Sequence, residues 1–169
     1  VGHGSLSADT YGSKSTALGY QTLLTQNFTT ATDSHNTAIG FYAGTLVTTG
    51  QYNTLVGSLA GDALTSGAGN VAIGFDALST EDAHGKNIAI GYKALEAQNA
   101  GADAYNVAIG YEAGNDLTTG TGNTFVGGLA GDATDDGSNN TAVGYAALSA
   151  NCGSSNVAMG YFALVANTA

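Results

Sequence analysis

Along this chain a short apolar phrase returns at near-constant intervals, opened each time by a polar residue and closed by glycine. Asn106-Val107-Ala108-Ile109-Gly110 is one copy. The same phrase opens at Asn36, Asn53, Asn70, Asn87, Asn123, Asn140 and Asn156, and Ser15 to Gly19 is a variant with Ser in the Asn place. Val1-Gly2 reads as the tail of a further copy. The closing glycines are spaced by 17, 21, 17, 17, 17, 19, 17, 17 and 16 residues. Helical repeats need two helices and more than about 30 residues. A period near 17 therefore predicts one solenoid coil of short strands and turns. The phrases themselves are rich in β-branched residues, which fit a pleated surface. Turn formers lie between them, as in Thr48-Thr49-Gly50 and Asp135-Asp136-Gly137-Ser138. Ala77-Leu78-Ser79 and Ala94-Leu95-Glu96-Ala97 have helical propensity, but the period leaves no room for a helix in each coil.

Strand alternation puts the first and third residues after Asn on one face and the second residue with Gly on the other. Side-chain size suggests that the β-branched face lies inside the coil: Thr37 and Ile39, Val71 and Ile73, Ile88 and Ile90, Val107 and Ile109. The Ala and Gly positions then face outward, where small residues let a second sheet approach. Such a coil has a thin core and a surplus of small apolar outward positions, which predicts oligomerisation. An aromatic follows most of the glycines: Tyr20, Phe41, Phe75, Tyr92, Tyr111, Tyr145 and Tyr161. Ser58 and Gly128 interrupt that column in the two coils where the strand Ala becomes Leu55 or Phe125. Volume exchange within one packed layer accounts for this. On packing logic the column reads as core or interface rather than as a sugar-stacking platform.

A longer repeat overlies the shorter one. Asn36, Asn53 and Asn70 recur 70 residues later as Asn106, Asn123 and Asn140, and Leu59 to Ala63 returns as Leu129 to Ala133. The chain is thus a single repeat domain over residues 1–169, with a four-coil super-unit over 36–105 that starts again over 106–169. It opens and closes within a repeat and reads as a segment of a longer chain. The two longest coils, Gly19 to Gly40 and Gly91 to Gly110, hold equivalent places in the super-unit. Insertions in solenoids often carry function. Their extra residues are expected to protrude and to offer ligand-binding groups: Gln26, Asn27, Phe28, Asp33 and His35 in the first, Gln98, Asn99, Asp103 and Tyr105 in the second. The motif asparagines (Asn36, Asn53, Asn70, Asn87, Asn106, Asn123, Asn140 and Asn156) have a structural reading. Stacked one per coil, each side-chain amide donates to and accepts from the next.

Charge narrows the function. There are 13 acidic residues against 3 lysines and arginines together, for a formal charge of -10. Nucleic-acid binding needs clustered cations, so it is disfavoured, as is an anionic membrane surface. No apolar run is long enough to span a bilayer. Cys152 is alone, so an internal disulfide framework is excluded, and it reads as a free thiol in the loop Asn151 to Ser155.

The phrases Asn106 to Tyr111 (Asn-Val-Ala-Ile-Gly-Tyr) and Asn36 to Phe41 (Asn-Thr-Ala-Ile-Gly-Phe) resemble the head repeats of trimeric autotransporter adhesins, the YadA-like head, and related repeats of phage tail fibres. The resemblance extends from Ser15 to Leu164, although these coils are longer than the usual head repeat. It implies an all-β fold, a left-handed parallel β-roll, three chains around a long axis, and attachment to surfaces or matrix. The expected function is therefore a non-enzymatic, homotrimeric extracellular fibre segment, on a bacterial cell surface or a virion tail fibre. Its partner would be a cell-surface glycan or a matrix protein. A purely structural shaft is the alternative reading, and a hexapeptide-type acyltransferase a remote one, since Ile39 to Gly44 matches one hexapeptide unit where such enzymes carry one on every face of the coil.

Catalytic, metal and cofactor sites are not expected. Asp62 and Asp132 repeat, but on a convex rod rather than in a cleft. His3, His35 and His84 stand at different offsets from the motif and do not stack into a zinc-binding column. Asp132 to Asn140 lacks the ordered alternation of a calcium loop and reads as a solvated turn.

Overall fold

The computed structural model describes residues 2–167. Eleven short strands form among them: β1 (Gly12–Ser13), β2 (Thr16–Leu18), β3 (Thr32–Asp33), β4 (Thr37–Ile39), β5 (Thr54–Val56), β6 (Val71–Ile73), β7 (Ile88–Ile90), β8 (Val107–Ile109), β9 (Thr124–Val126), β10 (Thr141–Val143) and β11 (Val157–Met159). Nine of them, β2 and β4 to β11, stack in chain order into one parallel sheet. The other two, β1 and β3, pair with each other and join the coil that ends at Gly19 to the first long coil. Parallel pairs such as Thr37 with Thr54 and Thr54 with Val71 fix a register of one coil per 17 residues. The protein is an all-β solenoid of about nine turns, and no helix forms among the described residues. Ala77 to Ser79 and Ala94 to Ala97 are turns and loop.

The motif glycines form the column that the spacing predicts. A Cβ on Gly57 would collide with the carbonyl of Gly74, and one on Gly74 with the carbonyl of Gly91. The backbones touch there, so no side chain fits. Gly2 joins the same column, while Val1 lies outside the described residues.

The two faces of the strands are the reverse of the size-based expectation. The middle residue points inward: Ala38, Leu55, Ala72, Ala89, Ala108, Phe125 and Ala142 are fully buried. The β-branched first and third residues point outward, with Ile39 36% and Ile109 38% exposed. The reason lies across the coil. After each glycine the chain bends back and drops a second residue into the same thin space. That residue is Leu23, Leu78, Leu95 or Leu148, each fully buried. Ala opposite Leu fills the layer. Where the strand residue grows to Leu55 or Phe125, the facing turn residue shrinks to glycine. A Cβ on Gly61 would lie 2.7 Å from Leu55 Cδ2, and one on Gly131 2.6 Å from Phe125 Cε1. Volume is conserved inside the coil, not between the strand residue and the aromatic column outside it. Truncating Phe125 to Ala would open a cavity costing about 3–5 kcal/mol.

The inward-turning leucines have left-handed backbone, with φ of 53° at Leu78 and 58° at Leu148. The residue just before each motif Asn does too, as at His35 (φ 51°) and Tyr52 (φ 59°). None of the non-glycine residues with positive φ is Val, Ile or Thr. A β-branched side chain at such a corner would clash with the backbone.

The asparagines form a ladder, but its partners are mostly backbone groups. The Asn53 N–H donates to Asn36 Oδ1 at 2.9 Å, while Asn36 Nδ2 donates to the Gly50 carbonyl at 2.8 Å. The same pair of bonds recurs from Asn53 to Asn70 and from Asn106 to Asn123. These amides thus tie the start of one strand to the turn of the next coil, and the bonds quoted are buried. Two motif asparagines meet amide to amide at the end of the row, where Asn156 Nδ2 donates to Asn140 Oδ1 at 3.1 Å.

Candidate functional site

Two surfaces stand out. The first is the outer face of the nine-stranded sheet. It carries the first and third strand residues in two uncharged rows, from Thr16 and Leu18 to Val157 and Met159. Beside them runs the aromatic column. Tyr20 stacks on Phe41 at 5.5 Å, Phe75 on Tyr92 at 5.5 Å, Tyr92 on Tyr111 at 5.2 Å and Tyr145 on Tyr161 at 5.7 Å between ring centroids. Tyr111 is 55% and Tyr161 75% exposed. The aromatics are therefore not part of the coil's own core, and the chain covers neither them nor the β-branched rows.

The second surface is the corner just before the motif asparagines, where the long coils deliver part of their predicted ligand set. Asp33 pairs with Lys14 at 2.5 Å and accepts the Ser13 hydroxyl at 2.6 Å. These contacts, Lys14 foremost, hold its carboxyl below the ordinary range. His35 stacks on Tyr52 with centroids 5.4 Å apart. In the second long coil Asp103 pairs with Lys86 at 2.7 Å, which likewise lowers its pKa. The Lys86 ammonium also donates to the Tyr105 hydroxyl at 3.0 Å and sits 5.0 Å from the Tyr105 ring centroid. Lys14, His35, Tyr52, Gly69, Lys86 and Tyr105 thus occupy one row, one residue per coil. Gly69 leaves a gap between Tyr52 and Lys86, since a Cβ there would meet only Lys86 Cγ, at 3.8 Å. The sequence reading missed Lys14, Tyr52 and Lys86. Their signal was position: each directly precedes a motif Asn or its Ser variant, as His35 and Tyr105 do.

The other predicted ligand residues divide. Asn27 and Asn99 are exposed. Asn27 Oδ1 accepts the Thr10 hydroxyl at 3.0 Å, and the Asn99 N–H donates to the Thr118 carbonyl at 2.8 Å. Gln26 and Gln98, by contrast, are fully buried, and Phe28 is 6% exposed. These three point into the coil and do not reach solvent. The glutamines stand in an interior column held elsewhere by Val47, Leu64 and Leu117, and each accepts a hydrogen bond from a ladder asparagine, Asn36 or Asn106, at 2.8 Å. Cys152 is a free thiol in the loop, as expected, with its side chain buried and its Sγ 3.5 Å from Thr134 Oγ1.

Among the described residues one group of side chains presents metal-type ligand atoms together: Glu81, Asp82 and His84, all within 4.8 Å of one another. Among the described residues no helix is long and apolar enough to cross a membrane. The chain matches no protein-family model, no curated protein and no solved structure.

Proposed function

We propose that this chain is a non-enzymatic segment of a homotrimeric extracellular fibre, as in an adhesin head or a tail fibre, which supplies reach, rigidity and attachment to a glycan or matrix protein. The observation that carries the reading is the outer sheet face: two rows, mostly Thr, Val and Ile, nine strands long and without a charged residue in the strands, beside aromatics stacked in three runs. A flat apolar surface of that kind, with no lysine in its rows, invites association. Closed symmetry buries it. Three chains in parallel would set like residues around one axis, in keeping with the resemblance of the repeats to adhesin heads. The surface that associates is the Val/Ile face, not the Ala/Gly face expected from the sequence. Attachment then falls to the outer corner carrying His35, Tyr52, Lys86 and Tyr105. Such sites need only be weak, because threefold repetition along a rigid rod multiplies them.

A second reading is a structural shaft with recognition elsewhere. It is favoured by the burial of Gln26, Gln98 and Phe28, which removes a third of the predicted ligand set from solvent.

Light scattering across a dilution series tests the trimer, and a stable monomer at low micromolar concentration would overturn it. Ile109→Lys is expected to lower the mass to about a third while the strand signal in circular dichroism persists, because the residue lies on the symmetric contact and not in the coil. A glycan array run with the parent and with a Tyr52→Ala, Tyr105→Ala double variant separates the two readings: binding lost in the variant supports attachment, and no binding by the parent supports the shaft.

A further inference from the structure

Glu81 is out of place. It stands in the interior column that Val47, Leu64 and Leu117 fill in other coils, and it is fully buried. Its Oε1 accepts the His84 N–H at 3.1 Å, and the Ala100 N–H acts on the carboxyl from nearby, but Oε2 makes no hydrogen bond of good geometry. His84 Nδ1, 3.7 Å from Glu81 Oε1, is also buried without a partner. Among the described residues six buried side-chain atoms are orphaned in this way; two of them, Glu81 Oε2 and His84 Nδ1, are acceptors of this turn, while Asn87 Nδ2 and Gln98 Nε2 are donors that a cation does not partner. Orphaned polar atoms that gather at one place mark either a missing guest or a local fault.

We propose that the turn Glu81-Asp82-Ala83-His84 is a binding site for a divalent transition cation of the zinc class. Glu81 and Asp82 supply carboxylate oxygens, and His84 supplies Nδ1 with its proton on Nε2. Around one such ion, bonds of about 2.0–2.2 Å put ligand atoms roughly 3–4 Å apart. The present separations, all within 4.8 Å, close to that by small side-chain rotations. One imidazole with two carboxylates suits zinc, cobalt or manganese, whereas calcium takes oxygen ligands only. A proton on Glu81, donated to His84 Nδ1, would partner that acceptor without an ion, but it would leave Asp82 with no part in the site.

The test is titration of the chain with zinc chloride by calorimetry, with cobalt chloride as the visible-absorption probe of imidazole ligation. One ion per chain is expected, with affinity falling at least tenfold in both His84→Gln and Glu81→Leu. Glu81→Leu places in this coil the residue that Leu64 and Leu117 already place in theirs. If that variant fails to fold, Glu81→Gln keeps the volume and serves instead. Asp136→Asn, which removes an exposed carboxylate three coils away, is expected to leave zinc affinity unchanged. Zinc binding that survives Glu81→Leu, or that disappears with Asp136→Asn, overturns the proposal. So does a parent chain that binds neither metal; a rise in melting temperature with Glu81→Leu would then show the orphaned atoms to be a fault.

Discussion

The two long coils solve one problem with different success. Each places a glutamine in the interior, and each glutamine accepts a hydrogen bond from a ladder asparagine at 2.8 Å. The residue one coil earlier is acidic in both, and in both it accepts the N–H of the residue three places on: Asp9 from Gly12 at 2.7 Å, Glu81 from His84 at 3.1 Å. There the likeness ends. Asp9 Oδ2 also accepts from Gln26 Nε2 at 2.5 Å, whereas neither Gln98 Nε2 nor Glu81 Oε2 makes a hydrogen bond of good geometry. Glutamate carries one more methylene than aspartate, so a carboxylate tied to the same local N–H cannot present its second oxygen in the same place. The ladder differs as well. Ser15 precedes the first long coil and its hydroxyl meets Ser34 Oγ at 2.6 Å, but Asn87 precedes the second and its Nδ2 has no acceptor. An interior only one side chain thick tolerates polar residues only when adjacent coils agree on them.

The largest effect should separate the two glutamines. Gln26→Leu strands a carboxylate oxygen of Asp9 and is expected to cost about 2–3 kcal/mol. Gln98→Leu removes an amide that is already half unsatisfied, and it should shift stability by less than about 1 kcal/mol. Urea denaturation of the two variants reads the difference, and equal costs would show that the coils are equivalent after all.

Next comes the acid. With metal chelated, Glu81→Asp should gain about 1 kcal/mol if the shorter side chain recovers the bond that Asp9 makes. A loss in the same urea assay would mean that the methylene is not the cause. Burial, the largest influence on Glu81, pushes its pKa above the ordinary 4.5, outweighing the His84 N–H. A carboxyl whose folded pKa is raised binds protons more tightly folded than unfolded. Its contribution is therefore favourable at low pH and is lost as pH climbs from about 4.5 to the raised folded value. Asp62 and Asp132, also raised by burial, act in the same direction. The melting temperature of chelated protein should fall across that window, and fall less in Glu81→Gln. Parallel pH profiles would remove Glu81 from the account.

The smallest effect belongs to the ladder. Asn87→Ser copies Ser15, whose hydroxyl accepts the Asn36 N–H at 3.3 Å much as Asn87 Oδ1 accepts the Asn106 N–H at 3.2 Å. It deletes only the orphaned amide, so a change within about 0.5 kcal/mol, on the stabilising side, is expected by thermal melting. A clear loss of stability would mean that Nδ2 has a partner.

The coil, its period and its glycine column were legible in the sequence because each rests on spacing alone. The inside was not. Alternation says which residues share a face, but a three-residue strand does not say which face is in, and side-chain size points to the wrong one. The informative signal was the pairing of Leu55 with Gly44 and Gly61, and of Phe125 with Gly114 and Gly131, which is spread over residues not adjacent in the chain. The long-coil candidates split for a related reason. Asp33, His35, Asp103 and Tyr105 fall on an open corner, while Gln26 and Gln98 sit seven residues past a motif glycine, the place of Leu64 and Leu117. Polarity argued for solvent and register argued for the interior, and register prevailed.

The bonds that join coil to coil, such as the Gly57 N–H to the Ile39 carbonyl and the Gly74 N–H to the Val56 carbonyl, both 2.8 Å, run between stacked strands and so lie along the rod. A tensile load on the rod therefore meets them end-on and in series. Each rung carries the whole force, and the end coil lets go first. A released coil frees 17 residues of contour, roughly 50–55 Å beyond the ~4.8 Å it occupied. Tension on such a fibre should be shed in a train of nearly equal steps, each one leaving the next coil intact as the template on which the lost one can wind back.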